Sequence, residues 1–142
     1  MVERVRIAVG VLVRDGLVLL VHRHPARRVY PDCWDLVGGH VEEGESPRQA
    51  VRRECLEELG VQVHDPVPVP MRISDPNLDM YAFLITRWDG EPVNAEPEEH
   101  DDLRWFRPSE LADLKLAHPA GLPSILSAIE AGQTPRPEAS DD

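Results

Sequence analysis

The chain has 142 residues, with 26 acidic and 15 basic side chains and a formal net charge of −11. This length suits a single domain that buries its own apolar core. An acidic surface repels polyanions, so the charge argues against a nucleic-acid polymer or an anionic membrane as the main partner. A small phosphate ester stays compatible with the charge, because a divalent cation can neutralise it locally.

The N-terminus and the cysteines bear on location. The first residues, MVERVR, lack the apolar core of a signal peptide, and no apolar run reaches the length of a transmembrane helix. Cys33 and Cys55 are too few for a disulfide framework and fit a reducing compartment. We therefore expect a cytoplasmic protein, with monomer and homodimer both left open.

The first part of the chain predicts a β-hairpin followed by a basic loop. Residues 4–13 and 17–22 are rich in Val, Ile and Leu, and Asp15-Gly16 between them is a strong hairpin signal. Arg23 ends the second strand, and residues 24–28 (HPARR) form a basic patch in an acidic protein. This patch is either an ordinary solvated loop or a contact for substrate phosphate.

A glycine-rich loop and a helix follow. Ser46 before Pro47 predicts a helix start, because Ser caps helices well and Pro fits the first helical position. Gly60 predicts the helix end. Apolar side chains recur every four residues between these limits, at Val51, Cys55 and Leu59.

Three carboxylates accompany this apolar stripe. Glu57 and Glu58 follow Glu54 by three and four residues, so the three side chains lie on one side of the helix. Like charges at this spacing repel, and no lysine is interleaved. Taken alone, the three glutamates favour a solvated acidic face. The alternative is a site for a hard cation such as Mg²⁺, which prefers carboxylate oxygens and substrate phosphates.

The surrounding pattern reverses that preference. Residues 39–61 resemble the Nudix box, Gly-x5-Glu-x7-Arg-Glu-U-x-Glu-Glu-x-Gly-U, in which U is a bulky apolar residue. The positions in register are Gly39, Glu45, Arg53, Glu54, Cys55, Glu57, Glu58, Gly60 and Val61. Cys55 is a mild departure at the first U position, where it acts as a small hydrophobe. The resemblance implies hydrolysis of a diphosphate bond in a nucleoside diphosphate linked to another group.

The predicted elements after the box suggest a mixed sheet. The first are a Pro-interrupted edge strand (61–69), a further strand opening at 71–74, a turn at 75–77 and a central strand (80–88). An acidic loop (91–102) and a short strand (103–106) follow. The last are a short helix from 108 and an amphipathic helix marked by apolar residues from 122 to 129. Helices between and after strands predict an α/β fold with helices on both sheet faces. The resemblance implies the Nudix α/β/α sandwich, spanning 1–131, and the polar residues 132–142 are expected to form a disordered tail.

The acidic loop resembles that of MutT-type Nudix enzymes, which often place a further acid shortly before a Trp-containing strand. Glu99 is the best match before Trp105, followed by Glu98 and Glu96. Arg23 matches a position where such enzymes often carry a substrate-contacting arginine. Gly38 and Gly39 permit close approach of metal or phosphate.

The resemblance assigns roles to these residues and implies Mg²⁺, or Mn²⁺ as a substitute, as cofactor. The candidate catalytic residues are Arg53, Glu57, Glu58 and Glu99. The candidate substrate-binding residues are Arg23, Gly38, Gly39 and Glu45. The candidate metal ligands are the carbonyl of Gly39 and the carboxylates of Glu54, Glu57, Glu58 and Glu99. Arg53 is expected to act by pairing with Glu45 or a ligand glutamate. The general base stays open among the glutamates.

The MutT-like features and the short chain favour a nucleoside triphosphate substrate, cleaved to the monophosphate and pyrophosphate. Enzymes of the family that act on oxidised purines often carry Asn or an acidic pair near the last helix, whereas this chain has Ala117-His118-Pro119. The alternatives are ADP-ribose, nucleotide sugars or dinucleoside polyphosphates as substrates. A Nudix-fold module that binds a nucleotide without cleaving it is the alternative from another class.

Overall fold

The computed structural model describes residues 4–133. The strands, in chain order, are β1 (Val5–Arg14), β2 (Leu17–Arg23), β3 (Trp34–Asp35), β4 (Val37–His40), β5 (Gln62–His64), β6 (Val67–Val69), β7 (Leu78–Ile85), β8 (Arg87–Asp89) and β9 (His100–Phe106). The α-helices are α1 (Pro47–Leu59) and α2 (Leu122–Gln133), and 3-10 helices span Pro108–Asp113 and Pro119–Gly121.

Strand β1 is the axis of the main sheet. It pairs in parallel with β7, from Val5 opposite Leu78 onward, and antiparallel with β4. Its C-terminal end instead joins β2 through the predicted Asp-Gly hairpin, and β2 carries β3 and β9 on its own edges. Strand β6 extends the sheet beyond β7, and β5 and β8 form a separate two-stranded sheet. The sheet is therefore mixed, as predicted.

The two faces of β1 bury two different cores. Ala8 and Leu12 pack in a cluster with the apolar stripe of α1, including Val51, Cys55 and Leu59. The alternating positions Val9, Val11 and Val13 pack in a second cluster with Ile125, Ala128 and Ile129 of α2. This period-two alternation places one helix on each face, because successive strand side chains point to opposite sides. The predicted α/β/α sandwich is confirmed.

The box helix has the predicted caps. The Ser46 hydroxyl accepts a hydrogen bond from the Gln49 amide at 3.1 Å, and the Gln49 side chain accepts one from the Ser46 amide at 2.8 Å. Pro47 begins the helix, and Gly60 ends it with a left-handed φ of 71°. Glycine adopts this conformation without the clash that a Cβ would cause.

Several predicted element bounds were wrong. Residues 71–74 form no strand, and the Arg72 amide donates to the Ser124 hydroxyl at 3.0 Å instead of to a strand partner. The predicted edge strand 61–69 is split into β5 and β6 at Asp65, whose φ is 50°. The predicted loop 91–102 ends at residue 99, because β9 begins at His100 opposite Arg23.

The C-terminal boundary also differs. Helix α2 continues through Gly132 and Gln133, and a Cβ added at Gly132 would lie 3.2 Å from side-chain atoms of both Leu84 and Val13. The predicted tail begins with these two residues, and its other residues, 134–142, lie outside the described part of the chain. Neither helix within residues 4–133 is long and apolar enough to cross a membrane. Cys33 and Cys55 are buried free thiols.

Replacing Ser46 with Ala removes the side-chain acceptor at the start of α1. We expect the free energy of unfolding to fall by about 1 kcal/mol, the usual loss for this type of cap. Urea denaturation followed by circular dichroism measures the change. Ser127→Ala is the control, because Ser127 is exposed within α2 and away from its N-terminus. Equal stability of the two variants would contradict the assigned role of the cap.

Candidate active site

A cleft of about 510 Å³ lies between α1, two loops and the N-terminal halves of β1 and β7 in the main sheet. The loops are residues 24–33 after β2 and residues 90–99 before β9. Acidic residues dominate the part of the lining near α1: Glu42, Glu54, Glu57, Glu58, Glu96 and Glu99. Apolar residues line a further part: Val5, Ile7 and Val9 of β1, Leu78 and Met80 of β7, and Leu36 between β3 and β4. Polar side chains such as Asp35, Asp75 and His118 also belong to the lining. The cleft therefore offers both a charged end and an apolar end to one ligand.

Arg53 is the centre of the charged end. Its guanidinium forms a two-pronged ion pair with Glu45, with N–O distances of 2.8 and 3.0 Å. It also donates to Glu54 at 3.0 Å, to Glu57 at 3.1 Å and to the carbonyl of His40 at 3.0 Å. One fixed cation thus orients three glutamates predicted as site residues, as the planar fork of arginine allows.

Glu58 is the exception, because it is buried and no arginine or lysine in the described part of the chain pairs with it. It is 2% exposed, and its Oε1 lies 3.5 Å from His100 Nε2, too far for a good hydrogen bond. Within residues 4–133, Oε1 of Glu58 and Nδ1 of His100 have no hydrogen-bond partner. Burial raises the pKa of Glu58 well above its usual range, and the hydrogen bond and charge of Glu54 raise it further. Burial also lowers the pKa of His100 to about 4.

The two glycines before the box helix occupy positions where a side chain would not fit. Gly38 and Gly39 lie in β4, opposite Val9 and Ala8 of β1. A Cβ at Gly39 would overlap the Glu54 carboxylate, and one at Gly38 would overlap the backbone oxygen of Ala8. The missing side chain at Gly39 therefore lets the Glu54 carboxylate lie directly against the β4 backbone.

The acidic loop is tied to the end of α1. The amides of Val93 and Ala95 donate to the carbonyls of Leu59 and Glu58 at 3.0 and 2.9 Å. The Asn94 side chain donates to the His100 carbonyl at 2.7 Å, which closes the loop on itself. These bonds hold the backbone of the acidic loop beside the buried Glu58.

Two of the three loop acids considered from the sequence line the cleft. Glu99 and Glu96 do so, whereas Glu98 is exposed and does not. Burial raises the pKa of Glu96, and the negative charge of Glu99 contributes next. The structure thus brings Glu99 to the box glutamates, and it favours Glu96 over Glu98 as the second acid.

Arg23 lines the cleft, but its guanidinium is already engaged. It donates to the carbonyls of Tyr30 at 2.8 Å and Val29 at 2.7 Å, and it lies 3.4 Å from Asp35. These contacts fold the loop 24–33 back onto the end of β2. The predicted contact between Arg23 and substrate stays a prediction.

Several residues of the cleft wall carried no recognisable signal in the sequence. His100 lies in an acidic stretch and resembles a solvated loop residue until the fold buries it. The Tyr30 hydroxyl donates to Asp75 at 2.9 Å, and its ring lies 4.6 Å from that of His118. Asp35 lines the same cleft, and burial raises the pKa of its carboxyl. Only the fold brings these distant positions together.

The donors at the charged end suit a hard divalent cation. Glu58 has one oxygen without a hydrogen-bond partner within residues 4–133, and its carboxyl is hydrogen-bonded to that of Glu54, which lies against Gly39. Neighbouring carboxyl oxygens of this kind are the ligands that Mg²⁺ prefers. Within residues 4–133 no three acidic, His or Cys side chains form a ready-made metal cage. Mg²⁺ fits such an arrangement, because it commonly keeps waters and takes ligands from substrate phosphates.

Comparison with known proteins decides the family. The sequence profile of the NUDIX domain matches residues 4–127 of the chain. The chain belongs to the Nudix family. The match extends well beyond the box and covers the main sheet, α1 and the first half of α2.

Relatives and solved structures support this Nudix assignment over nearly the whole chain. The CTP pyrophosphohydrolase of Escherichia coli strain K12 is 33% identical over 138 residues, covering 95% of this chain and 98% of that protein. Nucleoside triphosphatase NudI of Salmonella typhimurium is 35% identical over 129 residues, covering 79% of this chain and 91% of that protein. A crystal structure of a MutT Nudix hydrolase from Burkholderia pseudomallei matches with a TM-score of 0.73 at 28% identity, covering 90% of this chain and 97% of that one.

Arg53→Gln removes the cation that orients the box glutamates. We expect kcat to fall on the order of 10- to 100-fold, with a higher Mg²⁺ concentration needed for half-maximal rate, as when a residue orienting metal ligands is lost. Steady-state rates across a Mg²⁺ titration measure both effects. Arg52→Gln is the matched control, because Arg52 is the preceding residue, its side chain is exposed and it lies outside the cleft lining. Wild-type kinetics in Arg53→Gln would contradict the role given to this arginine.

Proposed function

We propose that this Nudix hydrolase cleaves a nucleoside triphosphate to the nucleoside monophosphate and pyrophosphate. The observation that carries the proposal is one cleft in which the box carboxylates and the acidic loop meet an apolar wall of strand residues. The charged end suits a phosphate chain with its cation, and the apolar end suits a base and sugar. The full-length similarity to a CTP pyrophosphohydrolase supports the same substrate class.

The reaction rests on positioned carboxylates. Glu54, Glu57, Glu58 and Glu99, with the carbonyl of Gly39, are the proposed cation ligands. When bound, the divalent cation withdraws charge from phosphate oxygens and lowers the pKa of water. Arg53 fixes Glu45, Glu54 and Glu57 in place. Glu57, Glu58 and Glu99 are the groups able to take the proton from the attacking water.

Loss of the cation or of its ligands should abolish turnover. Activity should require Mg²⁺ or Mn²⁺ and disappear in excess EDTA. Glu57→Gln and Glu58→Gln should each lower kcat on the order of 10²-fold, because the amide keeps the volume but loses the charge. Full turnover in EDTA, or near-normal rates in both variants, would refute these ligands.

Glu58→Gln also has a distinctive effect on stability. A carboxyl whose pKa is raised by folding loses stability as pH rises above its ordinary pKa, because the unfolded form ionises more easily. Without divalent cation at pH 7, the neutral Gln variant should therefore melt at or above the wild-type temperature. Differential scanning fluorimetry in EDTA at pH 5 and pH 7 measures the difference. A marked drop at pH 7 would show that ionised Glu58 stabilises the apo fold.

The loop acids provide a matched pair. Glu99→Gln should lower kcat with a smaller effect on resting metal affinity, and it should flatten the acid limb of the pH–rate profile if Glu99 takes the proton. Glu98→Gln is the control, because Glu98 is exposed outside the cleft lining. Glu96→Gln tests the second cleft acid. Near-wild-type kinetics for all three variants would remove this loop from the mechanism.

A nucleotide panel tests the substrate class directly. With Mg²⁺, the four common nucleoside triphosphates and their deoxy forms, 8-oxo-dGTP, ADP-ribose, a nucleotide sugar and a dinucleoside polyphosphate are compared at equal concentration. We expect the highest kcat/KM for a nucleoside triphosphate, with pyrophosphate and monophosphate as products by ion-exchange chromatography. A higher kcat/KM for ADP-ribose, the nucleotide sugar or the dinucleoside polyphosphate would contradict the proposed triphosphate substrate. Binding without cleavage would favour a non-catalytic nucleotide-binding module.

A further inference from the structure

We propose that Arg27 is the substrate-phosphate contact of this cleft. This inference deepens the proposed function and rests on it, because it concerns the anionic part of the same substrate. The residue belongs to the basic patch after β2 and lies in the cleft lining.

The proposal begins with the cations in the wall of the cleft. The arginines in the lining are Arg23, Arg27 and Arg53. Arg53 is shared among Glu45, Glu54 and Glu57, and Arg23 is occupied by loop carbonyls and Asp35. A phosphate competing for either guanidinium would have to break charge-assisted hydrogen bonds already formed inside the protein.

Arg27 differs because its guanidinium is uncommitted. Among residues 4–133 it has no side-chain hydrogen bond or ion pair, although it is only partly exposed. Its positive charge opposes the burial-driven rise in the pKa of Asp35, another residue of the cleft wall, so it acts on the cleft and not only on bulk solvent. A cation without a protein partner can form new bonds to phosphate without losing old ones.

The backbone holds Arg27 in place beside the acidic loop. Its amide donates to the His24 carbonyl at 3.0 Å, and the Ala26 amide donates to His24 Nδ1 at 3.0 Å. The His24 amide in turn donates to the Glu99 carbonyl at 2.9 Å. These bonds tie the turn that carries Arg27 to the backbone of Glu99, and both side chains line the same cleft, where a substrate phosphate is expected to lie.

The adjacent residue supplies a matched control. Arg28 has the same charge and the same loop, but it is exposed and does not line the cleft. Both substitutions to Gln remove one positive charge from a protein of net charge −11, so their long-range effects on an anionic ligand are matched. A difference between the two variants therefore reports a local contact.

The experiment measures binding and turnover in Arg27→Gln, Arg28→Gln and Arg27→Lys. The binding probe is an α,β-methylene nucleoside triphosphate with Mg²⁺, titrated by calorimetry, because its α–β bridge resists cleavage. We expect Arg27→Gln to weaken the affinity and raise KM at least tenfold, Arg28→Gln to change each less than twofold, and Arg27→Lys to recover part of the loss. Melting temperatures verify that all variants fold.

Equal affinities in Arg27→Gln and Arg28→Gln would overturn the proposal, as would a wild-type protein that does not bind the probe. Wild-type protein that binds the probe but hydrolyses no nucleoside triphosphate would refute the proposed reaction, and the affinity comparison would still decide the role of Arg27. A fall in kcat alone, with unchanged affinity and KM, would also overturn it, because a phosphate contact formed in the bound state must affect binding.

Discussion

The Arg53 ion-pair network is the interaction on which the active site depends. Two carboxylates about 4 Å apart repel by roughly 1 kcal/mol in water and about 4 kcal/mol in a partly shielded protein environment. Several such pairs at one end of a cleft would push the glutamates apart or protonate them. The guanidinium counters this repulsion for Glu45, Glu54 and Glu57, and it links the loop before α1 to the helix itself.

Glu58 shows where that compensation ends. It lies on the buried side of the same helix, one residue from the helix end, and no arginine of residues 4–133 pairs with it. The fold instead encloses it with a histidine whose low pKa keeps the ring neutral. A buried acid without a countercharge destabilises the protein unless a bound cation supplies the missing charge. Burial of this acid therefore costs stability, and the proposed cation would remove that cost.

The sequence predicted the box helix in detail, because its signals are local. The Ser-Pro start, the four-residue apolar period and the Gly end each act over one or two turns, and the structure contains all of them. The contacts of His100 with Glu58 and of Tyr30 with Asp75 could not be predicted, since they join segments that are distant in the chain. The contacts of Arg23 are local, but they depend on how the irregular loop 24–33 folds back. The strand expected at 71–74 failed for a related reason: its amide partner is a side chain of the last helix, and no pattern within the segment encodes that partner.

The two buried thiols give the protein internal reporters of two different motions. Cys55 lies on the buried face of α1, and burial raises the pKa of its thiol, so the reactive thiolate is scarce while the helix stays packed. Cys33 lies at the end of the loop after β2, and its thiol donates to the Tyr30 carbonyl. A thiol reagent should therefore reach Cys33 through opening of the cleft loop, whereas reaction at Cys55 requires the core itself to open. The ratio of the two labelling rates would separate local breathing of the substrate cleft from unfolding of the whole domain.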